Sequence, residues 1–389
     1  MNRVYFDHNA TTEPASEIRN KVSEWMSIWG NPSSVHADGR GPKTALRQAR
    51  QVLADHLGAK PLELVITSCG SESNNFIIKG HFHKSPSHKN HYLVGATEHP
   101  SVLEAFEWIR SQGAEVETIP VERDGSVDIE KYEKLLRPET SLVSFMLANN
   151  ETGVIYPIKK MAHLAHKHGI AFHSDCVQGL GKMLFRFSDL DIDYGTVSSH
   201  KFYSLRGCGV AFCRSGFTPT SLIHGGGQER GRRAGTENLL ALLSFAESFK
   251  VHDKLEERIE NLRVLRDEME ELVAQSITGS TITGKNQKRL CNTSSIVIPG
   301  IDGETLLMNL DMKGFSVSTG AACSSGSQEP SPALRAMGLS IDEAQATLRL
   351  SLGFKNTKEE VLQFVEQLKK TVERLHSLNE NWKESYEHG

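Results

Sequence analysis

Residues 171–201 read AFHSDCVQGLGKMLFRFSDLDIDYGTVSSHK, in which two short apolar runs each end in polar residues. Asp175 follows the first run, and Lys201 comes shortly after the second. The carboxyl ends of parallel strands meet at one edge of a sheet, so we expect the carboxylate and the amine to share a crevice there. A lysine that binds an aldehyde and a carboxylate that keeps a ring nitrogen protonated are the two groups that pyridoxal 5'-phosphate (PLP) requires. The stretch therefore predicts a PLP site on an α/β sheet.

Similar apolar runs lie on both sides of this stretch and alternate with amphipathic segments of helical period, a pattern typical of βα units around a mainly parallel sheet. The predicted strands are residues 64–67, 92–96, 116–119, 142–147, 171–174, 194–197 and 210–213. The predicted helices are residues 42–57, 72–79, 102–112, 158–168 and 358–378, three of them closed by a glycine. The predicted fold class is α/β, with a large domain built on a mainly parallel seven-stranded sheet and a smaller α+β C-terminal domain.

Length and composition are those of an ordinary globular protein. The chain has 389 residues, which suggests two or three domains, and its formal net charge of -4 argues against nucleic acid or an anionic membrane as the main partner. The six cysteines lack CxxC or zinc-ribbon spacing. The N-terminus lacks the pattern of a signal or transit peptide, and no run approaches the ~20 apolar residues of a membrane span. We therefore expect a protein of the reduced cytoplasm that is neither exported nor embedded in a membrane.

Further motifs at predicted strand ends could complete a site, although each also has an ordinary structural explanation. Gly70 and Ser71 open a helix, where amides and a hydroxyl can bind phosphate or simply cap the helix. His99 could lie against a cofactor ring or be a hydrogen-bonding loop residue. Asn150 could bind a substrate or belong to a turn. The Gly-rich segment at residues 224–236 carries three arginines that could clasp an anion or remain solvated.

Cys323 lies far downstream in a loop of small residues, and with the lysine–carboxylate pair it suggests amino-acid chemistry in which a protein thiol takes part. The order of all these motifs resembles that of NifS/IscS-type cysteine desulfurases, members of the class V aminotransferase group of fold type I PLP enzymes. The resemblance covers nearly the whole chain and rests on residues 5–12, 30–36, 71–75, 98–99, 149–151, 175, 178, 198–201, 225–236, 323 and 348–353. Residues 322–330 are similar to the NifS/IscS loop rather than the SufS-like one.

The resemblance implies conversion of L-cysteine to L-alanine, with transfer of the sulfur to Cys323 as a persulfide. Lys201 is implied to carry PLP and to act as the base at the substrate Cα, and His99 to stack on the ring and move protons. The implied PLP-binding residues are Gly70, Ser71, Asp175, Gln178, Ser198, His200, Lys201 and, across a homodimer, Thr236. Of these, Gln178 is implied to bond the ring oxygen. The residues implied to bind the substrate carboxylate are Asn31, Asn150 and Arg349. The implied sulfur acceptor is an iron–sulfur scaffold of the IscU/NifU type or a thiolation relay.

The resemblance also implies a division of the chain. Residues 1–14 are expected to form an N-terminal segment packed with the small domain, residues 15–255 the large PLP-binding domain, and residues 256–389 the small domain with the Cys323 loop. A long charged helical pattern from Glu237 to about Gln275 includes the boundary, which we place near residues 250–260.

The sequence departs from the family pattern at several positions. Beside Lys201, Ser204-Leu205 replaces the usual Gly-Pro, so we expect a different local backbone path. The usual Gly, Ala and His are replaced at three further positions, Cys69, Cys176 and Gln228.

Two alternatives to the desulfurase hypothesis stay open. One is another PLP reaction, such as transamination, lyase chemistry or selenocysteine cleavage, and the other is a non-catalytic scaffold with a PLP fold. Cys323 favours sulfur or selenium transfer, because transamination needs no thiol. The histidine-rich segment at residues 81–91 could bind a metal, but a solvated loop is the favoured interpretation, and no metal site is predicted.

Overall fold

The computed structural model describes residues 3–319 and 330–378. Its strands are β1 (Val4–Tyr5), β2 (Leu64–Thr67), β3 (His91–Gly95), β4 (Glu115–Ile119), β5 (Thr140–Ser144), β6 (Ala171–Asp175), β7 (Tyr194–Ser198), β8 (Gly209–Cys213), β9 (Thr281–Ile282), β10 (Thr293–Val297), β11 (Phe315–Ser316), β12 (Ser318–Thr319) and β13 (Thr347–Ser351). Its α-helices are α1 (Ser16–Met26), α2 (Ala37–Leu57), α3 (Gly70–Phe82), α4 (Pro100–Ser111), α5 (Ile129–Leu135), α6 (Ile158–Lys167), α7 (Phe187–Leu190), α8 (Leu239–Val251), α9 (Leu255–Ser276), α10 (Gly303–Met312), α11 (Pro332–Ala336), α12 (Ile341–Gln345) and α13 (Lys358–Leu378). Among the helices of this described part, none has both the length and the apolar character needed to cross a membrane.

The large sheet has the strand order β2-β8-β7-β6-β5-β3-β4. β8 runs antiparallel to both of its neighbours, whereas the pairs from β7 through β4 are all parallel. β2 therefore points the same way as β7. The predicted mainly parallel seven-stranded sheet is confirmed. Every strand except β8 presents its carboxyl end at the same edge, which is where this class of sheet binds ligands.

Helices cover both faces of the large sheet. In β3, Tyr92 and Val94 pack with α3 and α4 in one core, whereas Leu93 packs with α2, α6 and α8 in the other. This alternation follows from the two-residue period of a strand. Burial on both faces explains why the strands read as nearly continuous apolar runs rather than as alternating ones.

The predicted strand limits agree with the observed ones to within one residue except at β5. The prediction extended this strand to residue 147, whereas it ends at Ser144. Beyond Ser144 the chain still runs beside β6, because the Phe145 and Leu147 amides donate to the His173 and Asp175 carbonyls at 3.0 and 2.9 Å. The ladder therefore continues past the assigned strand and carries the chain toward residues 149–151.

The single long helix predicted from Glu237 to about Gln275 is wrong, because the chain forms α8 and α9 with a break at residues 252–254. The break coincides with a change of core. Phe245 of α8 packs under the large sheet, whereas Met269 of α9 packs in a second apolar cluster. One straight helix could not direct its apolar side chains into both cores.

That second core lies against a small antiparallel sheet of order β12-β13-β10-β9. Phe6, from the N-terminal segment, packs there against Phe364 of α13, and β1 pairs with β11. Asp7 forms a bridge with Ser351 at the end of β13. The predicted domain limits stay a prediction, and the change of core and the place of the N-terminal segment support it.

Candidate active site

The loops that follow β2, β3, β5, β6 and β7 meet at the carboxyl edge of the large sheet and surround a cavity of about 190 Å³. Its lining residues are Cys69, Gly70, Ser71, Asn74, His99, Ser101, Met146, Asn150, Asp175, Val177, Gln178, Ser198, His200 and Lys201. Every site residue that the sequence placed on one of these five loops is among them. Of the remaining predicted residues, Asn31, Thr236 and Arg349 do not line it, and Cys323 lies outside the described residues.

Lys201 ends a short 3-10 turn that follows β7 directly. Its Nζ donates to the backbone carbonyls of Asn9 at 2.6 Å and of Ala10 at 2.7 Å. Burial and, after it, the positive charge of Arg349 lower the pKa of Lys201 to about 8. A substantial fraction of this amine is therefore neutral near pH 8, and a lysine must be neutral to attack an aldehyde.

Asp175, the last residue of β6, is buried beneath the cavity. One carboxylate oxygen accepts from the Val177 amide at 2.9 Å, and the other accepts from Asn74 Nδ2 at 2.8 Å. Burial, together with the charge of Asp175, raises the pKa of Glu98 well above its ordinary value. The raised pKa favours the neutral, protonated form of Glu98.

Asn74 is a residue of the site to which the sequence gave no role. Its Nδ2 donates to both Asp175 and the Ser101 hydroxyl, the latter at 2.9 Å. Ser101 Oγ in turn lies 2.8 Å from His99 Nδ1. A hydrogen-bonded chain therefore joins the carboxylate to the imidazole. Asn74 lies one helical turn after Gly70 on α3, and that spacing is the signal that could have found it.

The protonation of the His99 ring is set by its position at the start of α4. Its Nδ1 accepts from the Ser101 amide at 3.1 Å. Because a backbone N–H can only donate, the proton of the neutral ring must lie on Nε2. His99 therefore keeps one N–H for the cavity that it lines.

The first turn of α3 provides a cradle for a phosphate. The first amides of a helix have no intrahelical acceptor, and Gly70 and Ser71, which supply them here, line the cavity. A Cβ at Gly70 would lie only 3.2 Å from Val177 Cγ2, so a larger residue would narrow this end. Within the described residues, the buried Ser198 Oγ has no hydrogen-bond partner. A hydroxyl without a partner and helix amides without intrahelical acceptors are suited to bind a phosphate group. The cavity therefore offers Lys201 for the aldehyde of PLP and these donors for its phosphate.

Arg349, on β13, lies beside the cavity. Its Nη2 donates to Asp7 Oδ1 at 2.8 Å, and its Nη1 donates to the Asn150 carbonyl at 3.4 Å. Its buried Nε has no partner among the described residues. An arginine with an unused donor, adjacent to the Asn150 side chain that lines the cavity, suits a carboxylate ligand.

Asn31 and Thr236 are both exposed and lie away from the cavity lining. Asn31 Oδ1 accepts from the Ser33 amide at 2.9 Å, which stabilises its own turn. Their roles stay predictions, and the role of Thr236 requires a second copy of the chain.

Cys323 lies outside the described residues, and its role as nucleophile stays a prediction. Burial raises the thiol pKa of four other cysteines, Cys176, Cys208, Cys213 and Cys291. Protonated, buried thiols are poor nucleophiles, in agreement with their predicted structural role. Cys69, in contrast, is exposed and lines the cavity. The thiols left as candidates for sulfur transfer are therefore Cys69 and Cys323.

Ser204-Leu205, the departure beside Lys201, is held by a serine of α8. Ser204 Oγ lies 2.8 Å from Ser244 Oγ, which also accepts from the Leu205 amide at 3.3 Å. On the other side, Ser199 Oγ donates to the Leu205 carbonyl at 2.6 Å. A proline at position 205 could not donate to Ser244. Side-chain hydrogen bonds therefore replace the rigidity of Gly-Pro behind the lysine.

The arginines of the Gly-rich segment hold the segment itself and do not reach the cavity. Arg233 Nε donates to Glu72 at 2.8 Å, and Arg232 Nη1 donates to the Leu62 carbonyl at 2.9 Å. Gln228 Oε1 accepts from the Gly235 amide at 3.1 Å. Within one chain, Arg232 and Arg233 thus have structural contacts, and the suggestion that the arginines of this segment clasp a phosphate or a carboxylate stays a prediction.

The chain is similar to known proteins over nearly its whole length. The family model for class-V aminotransferases matches residues 4–364. A cysteine desulfurase named IscS from Dictyoglomus turgidum (strain DSM 6724 / Z-1310) is 36% identical over 385 residues, which are 98% of each protein. A cysteine desulfurase named NifS from Azotobacter vinelandii is 36% identical over 390 residues, with 98% of this chain and 96% of the relative covered. A solved structure of a NifS-like protein matches with a TM-score of 0.90 at 34% identity and covers 95% of this chain and 99% of that one.

Proposed function

The chain belongs to the aminotransferase class-V family, and from that premise we propose how its residues carry out the reaction of a PLP-dependent cysteine desulfurase. In the overall balance, L-cysteine and the Cys323 thiol give L-alanine and a Cys323 persulfide. The Cβ–S bond of the substrate breaks, and an S–S bond forms on the protein. The nucleophile is a thiolate, so Cys323 must lose its proton before it attacks the substrate sulfur.

This proposal rests on three groups that line one cavity: the Lys201 amine, the Asp175 carboxylate and the Ser198 hydroxyl. The Ser198 hydroxyl has no hydrogen-bond partner among the described residues. PLP would be held through its aldehyde by Lys201, through its ring nitrogen by Asp175, and through its phosphate by Ser198, His200 and the first turn of α3. When bound, PLP withdraws electrons from the bonds at the substrate Cα.

The surrounding side chains position the substrate and move its protons. Lys201, with its pKa lowered to about 8, can take the proton from the substrate Cα near neutral pH. His99 presents its Nε2 proton to the cavity, and its hydrogen bonds with Ser101 fix the ring. Arg349 and Asn150 bind the substrate carboxylate, which directs the sulfur away from them.

The proposed reaction is tested by the products formed from L-cysteine in the presence of a reductant. The intact protein, loaded with PLP, is expected to release alanine and sulfide in equal amounts. Pyruvate in place of alanine would indicate a lyase, and no turnover with PLP bound would support the scaffold alternative. Comparison of L-cysteine with L-selenocysteine in the same assay measures the preference between sulfur and selenium.

The lowered pKa of Lys201 predicts the pH dependence of PLP attachment to the apoprotein. Only the neutral amine attacks the aldehyde, so the attachment rate should rise about tenfold per pH unit up to about pH 8 and then level off. Stopped-flow absorption measures this rate. N-acetyl-lysine is the control, and its rate should continue to rise to its ordinary pKa near 10.4. A protein rate that continues to rise in parallel with the control would contradict the prediction.

The assembly and the sulfur acceptor complete the proposal. We propose a homodimer, because Thr236 can reach a PLP phosphate only if a second chain brings it there. An iron–sulfur scaffold of the IscU/NifU type is the proposed acceptor, and the cytoplasm is the proposed compartment. The names of the relatives given above support the desulfurase reaction that would supply the sulfur.

A further inference from the structure

Lys182 is a buried amine to which no sequence motif assigned a role. It is 5% exposed and lies in the segment that follows β6. Its Nζ donates to two amide oxygens, Asn9 Oδ1 at 2.8 Å and Gln178 Oε1. Burial lowers its pKa well below the ordinary value, and the charge of Lys201 acts in the same direction. An ammonium or a neutral amine has at least two N–H groups, so both hydrogen bonds persist in either form.

The partners of the nitrogen end of each amide show which end faces Lys182. Gln178 Nε2 donates to the Asn9 carbonyl at 3.1 Å. Asn9 Nδ2 donates to the Asn150 carbonyl at 3.0 Å and to Thr293 Oγ1 at 2.9 Å. A carbonyl can only accept, so the nitrogen end of each amide must face it and the oxygen end must face Lys182. Both amides therefore present an oxygen to Lys182.

These contacts connect Lys182 to the proposed PLP site along two routes. Gln178 lines the cavity, and its NH2 group has a second hydrogen that is not needed by the Asn9 carbonyl. The Asn9 carbonyl is also an acceptor for Lys201 Nζ, at 2.6 Å. Lys182 therefore holds Gln178, which lines the PLP cavity. It also holds Asn9, whose carbonyl accepts from Lys201 Nζ when this amine is not bound to PLP.

We propose that Lys182 is a positioning residue of the desulfurase site: it fixes the Gln178 amide with its N–H end toward the cofactor ring oxygen, and it fixes Asn9 where its carbonyl receives Lys201. This proposal rests on the proposed function, because it assumes that PLP occupies the cavity. Lys182 touches neither substrate nor cofactor and acts only through these two neighbours.

A double-mutant cycle on PLP affinity tests the proposal. Lys182→Met nearly keeps the volume of the side chain and removes both hydrogen bonds, which leaves the buried Asn9 and Gln178 oxygens with one donor fewer each. We expect Lys182→Met and Gln178→Leu each to weaken PLP binding about tenfold, and the double variant to lose clearly less than the product of the two. A Lys182→Met protein with the affinity of the intact one, or losses that simply multiply, would overturn the proposal. Lys89→Met, which removes a lysine that also donates to two carbonyls but lies far from the cavity, is the matched control.

A second variant keeps the proposal testable if Lys182→Met does not fold. Gln178→Glu leaves an oxygen for Lys182, but it has no N–H for the Asn9 carbonyl or for the ring oxygen. This variant is expected to lose PLP affinity at least as much as Gln178→Leu. Unchanged affinity would refute the assigned orientation. PLP affinity is measured without L-cysteine, so these outcomes are independent of whether the protein then releases alanine.

Discussion

Cys323→Ser is expected to reduce alanine and sulfide release from L-cysteine by at least about 10³-fold while PLP stays bound with unchanged affinity. A serine hydroxyl is not ionised near neutral pH and cannot accept a sulfur atom from the substrate, whereas a cysteine thiolate can. The measurement is single-turnover formation of alanine, together with mass spectrometry of the protein after L-cysteine is added without reductant. The intact protein should gain one sulfur atom on the peptide that contains Cys323, and the variant should gain none.

Cys69→Ser is the variant that decides between the two candidate thiols. Cys69 is exposed and lines the same cavity as Lys201. Its structural contacts are made mainly by its backbone carbonyl, which accepts from the Ser73 amide at 3.2 Å. We therefore expect Cys69→Ser to retain turnover. If Cys69→Ser loses sulfur transfer and Cys323→Ser keeps it, the assignment of the nucleophile is wrong.

The fold could be predicted because its main signals are local. Apart from β4, each strand of the large sheet is a short buried run, and three helices, α2, α4 and α6, are followed by a glycine, as α2 is by Gly58 at φ 65°. The break between α8 and α9 could not be predicted in this way. It depends on which of two cores each turn faces, and that is decided by residues distant in sequence such as Phe364 and Phe202.

The site residues that follow strands could be predicted, because strand ends of a parallel sheet must meet at one edge. Asn9 and Lys182 could not, because their roles arise from contacts between distant segments. Asn9, for example, joins the N-terminal segment to Lys201 and Lys182. No periodicity or spacing in the sequence marks such a contact. Composition suggested an anion site at the arginines of the Gly-rich segment, but it could not show that Arg233 is paired with Glu72.

Lys201→Ala is expected to abolish both the covalent attachment of PLP and the turnover of L-cysteine. The lost turnover should exceed about 10⁴-fold, because one side chain both binds the aldehyde and moves the proton at the substrate Cα. The attachment is measured without any turnover: borohydride reduction should fix PLP permanently to the intact protein, at the peptide that contains Lys201, and should leave the variant unlabelled. Lys89→Met should be labelled like the intact protein.

The Lys201→Ala protein is expected to fold and to keep some affinity for PLP, and this separates the chemical role of the amine from a structural one. Among the described residues, the amine donates only to the Asn9 and Ala10 carbonyls, and water can reach the partly exposed position to replace it. Asp175, the first turn of α3 and the Ser198 hydroxyl remain to bind the ring and the phosphate.

Addition of a small primary amine should then restore part of the proton transfer at the substrate Cα, because a diffusible base can enter the space that the side chain leaves. If borohydride labels the variant at another lysine and turnover persists, the cofactor is not carried by Lys201, and the chemistry that we assign to this cavity is wrong.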